Sequence, residues 1–315
     1  MSRPTTRRTP GATLTGARRT GIQLALATAV ISGFSVFFNA DGVRAFGDAT
    51  AYTTAKNAVA AIVLLAVVAI GSRAGARLTL PRTGREWAAL AAIGLVGGSV
   101  PFVLFFEGLA RASSPQAAFL HKTLLVWVAL LAVVFLGERL SLFHLLAIAL
   151  LVIGQIGLVG GISSFGGAEA MILGATVMWA VEVVVAKWLL AGVSSWTVGV
   201  ARMVLGSVVL IVWVGVRGDL GLLTSMTAEQ AGWVLLTGVL LAAYVATWFA
   251  ALQRAQAVDV TAVLVLAAPV TAVLSNVTDG VPLRPQLDWL MVVLAGGALA
   301  VWAAWRARSA PVAVS

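Results

Sequence analysis

Six ionisable side chains interrupt otherwise apolar stretches of this 315-residue sequence: Lys56, Glu107, His121, Lys122, Glu182 and Arg202. Each is costly in hydrocarbon unless it is paired or faces an aqueous path, so such residues mark places where a ligand or an ion is handled. A cation among them can hold a carboxylate, and a carboxylate can hold an amine or a proton. By their positions along the apolar runs, Lys56, Glu107 and Lys122, with His121 nearby, are expected to line the outer part of a pathway. Glu182 and Arg202 are expected to line or gate the inner part. Neighbouring helical residues point about 100° apart, so Lys122 is assigned to the path, and His121 to a hydrogen-bonded structural position with a proton-responsive pathway group as the alternative. Snorkelling of Lys56 and Lys122 to the interface, with structural ion pairing elsewhere, is the competing reading. Ser32, Asn39, Asn57, Trp179, Tyr244 and Trp248 are candidate lining groups, because ligand cavities combine apolar walls with a few polar ones. His144 reads as interfacial.

Other chemistry finds no support. There is no GxSxG, HExxH or Walker loop, and the two histidines, 23 positions apart, do not have metal-ligand spacing. Cysteine is absent, which removes disulfides, thiol nucleophiles and thiolate-bound zinc. No catalytic residue, cofactor or metal is therefore expected. The formal charge of +9 sits mainly in the N-terminal tail and short connections, which suits an anionic lipid surface better than nucleic acid.

The elements that must position these residues are helices in a bilayer. Apolar residues make up 60% of the chain and charged ones 10%, against about 45–50% and 25% in soluble domains; so little polar surface could not cover a water-soluble fold. Ten apolar runs are placed at 21–40, 52–71, 87–109, 116–136, 142–161, 168–190, 196–216, 231–252, 258–278 and 287–306. Runs of about 20 residues cross a core near 30 Å thick. Segments such as LLVWVALLAVVFL show no period-two alternation, so they are helices rather than barrel strands. A polar tail at 1–20 is expected to be disordered, and another short tail covers 307–315. With the N-terminus cytoplasmic, fourteen Lys and Arg fall on that side and only Arg44, Arg111, Arg217 and Arg284 on the other. The positive-inside bias thus places both termini in the cytoplasm.

The two halves, 21–161 and 168–306, repeat. Lys56 and Arg202, and likewise Trp87 and Trp233, are 146 positions apart; Arg111 and Arg254, Gly137 and Gly280, and Leu140 and Leu283 are 143 apart. Five spans per repeat is odd, so the second copy is inverted in the membrane, a recurrent secondary-transporter plan. GxxxG spacings at Gly94–Gly98 and Gly157–Gly161 fit close, static helix packing, with flexing of transporter elements as the alternative.

The stretch Phe105-Phe106-Glu107-Gly108-Leu109-Ala110-Arg111-Ala112-Ser113-Ser114, followed by Gln116-Ala117-Ala118-Phe119-Leu120, resembles the drug/metabolite transporter superfamily, EamA type. So do Ala129 to Leu140, with Gly137-Glu138-Arg139 at a helix end, and the eroded second-half segments Ala250 to Ala255 and Ala268-Pro269-Val270. Val281-Pro282 stands where a second Glu-Arg pair is often seen. The resemblance implies a ten-helix transporter that moves small metabolites, often amino acids, outward across the cytoplasmic membrane, with the bilayer and a small molecule as partners and the proton as candidate coupling ion. Multidrug or organic-cation efflux is the alternative within transport; an intramembrane enzyme or a non-transporting scaffold is the alternative outside it. Glu138-Arg139 is expected to form an interfacial ion pair anchoring a tight connection.

Overall fold

The computed structural model describes residues 10–71, 75–109, 111–112, 114–159 and 165–306. Tail positions Arg3, Arg7, Arg8 and Arg308, the loop residue Arg73, and Ala110, Ser113, Gly160 and Gly161 lie outside that set. The described residues form helices and no strands. They run as α1 (Pro10–Phe46), α2 (Ala49–Gly71), α3 (Gly84–Leu109), α4 (Ser114–Lys122 continuing as Leu124–Leu136) and α5 (Leu142–Val159). The second half adds α6 (Gly167–Leu189), α7 (Ser195–Val216), α8 (Ala228–Arg254), α9 (Ala257–Asp279) and α10 (Leu287–Arg306). Nine of these helical runs have the length and hydropathy to cross a bilayer, and α5 contributes a shorter apolar one, Leu142–Leu158. Large apolar side chains such as Ile70, Phe135 and Val216, 70–83% exposed, cover the outside, as they must where the solvent is lipid.

α1 begins earlier than the expected span. Residues 10–20, read from sequence as disordered, continue the helix. Tertiary contact explains the difference: Arg18 bonds to the buried Asp259, and Gly21 packs so closely on α8 that a Cβ there would lie 2.9 Å from Ala255.

Helix partners follow a two-fold rule. α1 packs on α8 and α9, while α6 packs on α3 and α4; α2 meets α7, α4 meets α9, and α5 meets α10. Exchanging each helix of one half for its counterpart reproduces the same pairings. Local devices repeat too. Thr83 with Glu86 opens α3, and Thr227 with Gln230 opens α8, each as a capping box that satisfies free N–H groups. Gly137 and Gly280, at φ 64° and 68°, close α4 and α9 in the left-handed conformation that glycine adopts without a Cβ penalty. The N–H of Glu138 then reaches Ala132 O, and that of Val281 reaches Ser275 O, both at 3.2 Å.

One element breaks the symmetry. α3 passes through a π-helical turn at Ile93–Gly97, while α8 runs unbroken. At this turn Gly98 lies against Gly206 of α7, whose added Cβ would meet the Gly98 carbonyl oxygen at 2.5 Å. The glycines of the first GxxxG spacing therefore let α3 and α7 approach closely.

Candidate functional site

The break in α3 follows from sequence. The carbonyl of Gly97 would ordinarily accept from the N–H four residues on, but that residue is Pro101 and has none. A buried carbonyl left without a donor is costly, and two side chains supply it. Trp179 Nε1 and Arg202 Nη2 each donate to Gly97 O at 3.1 Å. Arg202 Nε also donates to Glu182 Oε1, and its Nη2 lies 3.4 Å from Oε2. Both partners of this ion pair are buried. Gly97 leaves room for it, since a Cβ there would collide with the Glu182 carboxylate.

Aromatic rings enclose the arrangement. Trp179 makes edge contacts with Phe102 and His121, at centroid separations of 5.3 and 5.1 Å. Phe105 touches both Trp179 and His121, and the Arg202 guanidinium lies 5.7 Å from the Phe102 ring centroid. Tyr244 sits within electrostatic reach of Arg202 and Glu182, and its ring stacks on Trp248 at 5.9 Å. His121, Trp179, Glu182 and Arg202 thus form one connected neighbourhood, with Phe102 and Phe105 between them.

Lys56 forms a second centre. Its Nζ donates to Asn39 Oδ1 at 3.1 Å and lies 5.2 Å from the Tyr52 ring centroid. The Tyr52 hydroxyl is 2.8 Å from both Asn39 Oδ1 and Thr237 Oγ1. Lys56 is the repeat counterpart of Arg202, and each reaches back to the preceding helix. Arg202 finds a carboxylate there, whereas Lys56 finds an amide. Next to it, Asn57 is fully buried and neither amide atom has a hydrogen-bond partner among the described residues.

His121 and Lys122 both border a small crevice between α4 and α9, with Leu124, Leu125, Thr261, Leu264 and Val265. Strict helical geometry would turn two neighbours apart. Here the helix is interrupted at Thr123, and α9 at Val265-Leu266, so both can reach one opening. The repeat spacing of 143 maps His121 onto Leu264 and Lys122 onto Val265. Residues that share a crevice with their own counterparts lie close to the two-fold axis.

Glu107 lies apart from the rest. It is 3.0 Å from Arg111 and 3.8 Å from Arg217, and Arg217 also holds Asp48 and Asp219 at 2.8 and 2.9 Å. These partly exposed groups form a charge network at the end of α3.

The opposite end is clamped. The Glu138 carboxylate accepts from the N–H groups of Ala257 (2.6 Å) and Val258 (3.1 Å), capping α9, instead of pairing with Arg139. Lys187 donates to the Leu252 and Ala255 carbonyls at 2.6 Å, capping α8. Each charge opposes the helix dipole it meets. Burial pushes the Glu138 carboxyl up from its usual range, against the downward pull of the two N–H donors and Lys187. His144, expected at the interface, is buried. Its Nδ1 accepts from the Ser141 N–H at 3.1 Å, which leaves Nε2–H to donate to Asp259 at 3.0 Å. Asp259 and Pro101 stand outside the candidates named from sequence, although both were visible: an acid in the first turn of an apolar helix, and a proline four positions after a glycine.

A family model described as the EamA-like transporter family matches residues 19–160 and 167–305. An uncharacterized transporter in the cobO 3' region of Sinorhizobium sp is 30% identical over 132 residues, covering 42% of this chain and 91% of that protein. In fold, a crystal structure of another protein superposes with a TM-score of 0.69 at 17% identity, covering 87% of this chain and 98% of that one.

Proposed function

The chain belongs to the EamA-like transporter family, and on that premise we propose that it is a secondary transporter exporting small metabolites, amino acids or related compounds, across the cytoplasmic membrane by alternating access. The buried Glu182–Arg202 pair at the break of α3 carries this reading. An ion pair in the membrane interior, tied to a released backbone carbonyl and ringed by aromatics, is a group whose partners can be exchanged for those of a substrate. Arg202 can take a carboxylate; Glu182 can take an amine or a coupling proton. Lys56, Asn57, His121, Lys122, Trp179, Tyr244 and Trp248 complete the proposed path. Glu107, held in the network at the end of α3, is an entrance group. The loop charges support cytoplasmic termini, and among the described residues no set with the roles of a nucleophile and its base accompanies these groups, which favours transport over an intramembrane enzyme.

Metabolites in the medium of cells overexpressing the protein test the reading. Small metabolites should accumulate with the wild type, and accumulation should fall with Arg202→Met and Lys56→Ala variants shown to reach the membrane. Undiminished export by both variants would remove these residues from the path. Protection from organic cations with no change in any metabolite would transfer the assignment to drug efflux.

A further inference from the structure

Several charges within the helix bundle and at its ends meet partners of opposite sign. Arg202 has Glu182; Arg18 and Lys187 are matched by Asp259 and Glu138; Arg111 and Arg217 are matched by Glu107, Asp48 and Asp219. Lys56 reaches only an amide and an aromatic ring. Lys122 has no ion pair or hydrogen bond among the described residues, yet it borders the crevice near the two-fold axis. Beside it, His121 Nδ1 is buried with no hydrogen-bond partner. An uncompensated cation in hydrocarbon is expensive, and the cost is relieved when an anion enters.

We infer that the transported compound is a carboxylate carrying net negative charge, whose carboxylate binds Lys122 in the crevice between the interrupted helices α4 and α9. The crevice, of about 30 Å³, admits a group of a few atoms, which suits a carboxylate head with the rest of the molecule outside it. Thr261 and His121 are the polar neighbours; no carboxylate borders the opening, so nothing there repels an anion. Lys56, in its separate centre, is a second cation with no carboxylate partner among the described residues, and a net anion rather than a zwitterion best balances two such lysines along one path. This inference rests on the transport reading above.

The test uses the full chain in proteoliposomes of neutral lipid, with lactate, succinate and glutamate presented against lactamide, succinamide and glutamine. Wild-type protein should move at least one acid and discriminate against its amide. Lys122→Met should reduce that preference roughly tenfold or more, the factor expected when a charged hydrogen bond is lost, and Lys122→Arg should retain it. Flux of neutral compounds alone, or a preference for acids that survives Lys122→Met, overturns the inference and leaves the transport reading standing. No flux of any compound, with the protein correctly inserted, overturns both.

Discussion

Arg202 and Glu182 show how much a pair of side chains can settle. Removing one partner of a buried ion pair leaves an uncompensated charge, at a cost of about 3–5 kcal/mol, whereas replacing both with apolar groups is often near neutral. Thermal unfolding in detergent should therefore show a large loss for Arg202→Met, and a smaller loss for the double variant Glu182→Met with Arg202→Met. Transport should fail in both. Equal destabilisation in the single and double variants would argue against a direct pair. Glu138 offers an independent case. Glu138→Ala leaves the N–H groups of Ala257 and Val258 buried without an acceptor, and each such donor costs about 1–3 kcal/mol. A loss of that order, read as a lower unfolding temperature, is the expected outcome. At this scale the sequence was partly legible. Charged letters in apolar runs stand out, but Glu107 and Lys122 look alike in a string. Only packing turns one toward Arg111 and Arg217 and leaves the other facing the repeat axis, without a partner among the described residues.

Among the elements, α3 is the least regular and the most closely tied to the proposed site. Its π turn and the free carbonyl of Gly97 have a cause in Pro101. Pro101→Ala would supply the missing N–H, and removing an interior proline can return up to about 3 kcal/mol of helix stability. The variant is expected to unfold at the same or a higher temperature while transport drops, because Gly97 O would no longer be free for Trp179 and Arg202. A variant with lowered stability and intact flux would sever the link between the break and function. α1 shows the limit of local reading. Arg, Thr and Pro near its start resemble a disordered tail, and Arg18 becomes part of the helix core only because Asp259 lies 241 positions away in the chain and 2.7 Å away in space.

For the molecule as a whole, the paired helix contacts make the two halves equivalent in outline and unequal in detail. The clamp built on Glu138 has no counterpart at Val281, the same position in the second repeat. The end holding Glu138, Lys187, His144, Asp259 and Arg18 is thus held by contacts that the repeat does not duplicate. It is also the end that the positive-inside rule assigns to the cytoplasm. A fluorescent protein fused to the C-terminus should accordingly be fluorescent in cells, while alkaline phosphatase fused there should be inactive; the reverse pattern would invert the orientation. Glu138→Ala should also increase labelling of a cysteine introduced at Gln256, a change easily read because the native chain has no cysteine.

Composition, run length and the 143–146 spacing determined the membrane class, the ten apolar segments and their duplication, because each is a one-dimensional property: hydrocarbon thickness sets segment length, and an odd number of spans forces inversion. Capping boxes and the paired glycines Gly137 and Gly280 are equally local. The tertiary structure decided which charges meet, since ion pairing depends on directions and depths that a sequence does not contain. It joined Trp179, Arg202 and Gly97 into one centre, drew Asp259 to Arg18 and His144, and left Lys56 and Lys122 without carboxylate partners among the described residues. A few ångströms of helix displacement separate a neutralised charge from an unmatched one, and that distance is set by the packing of ten helices together.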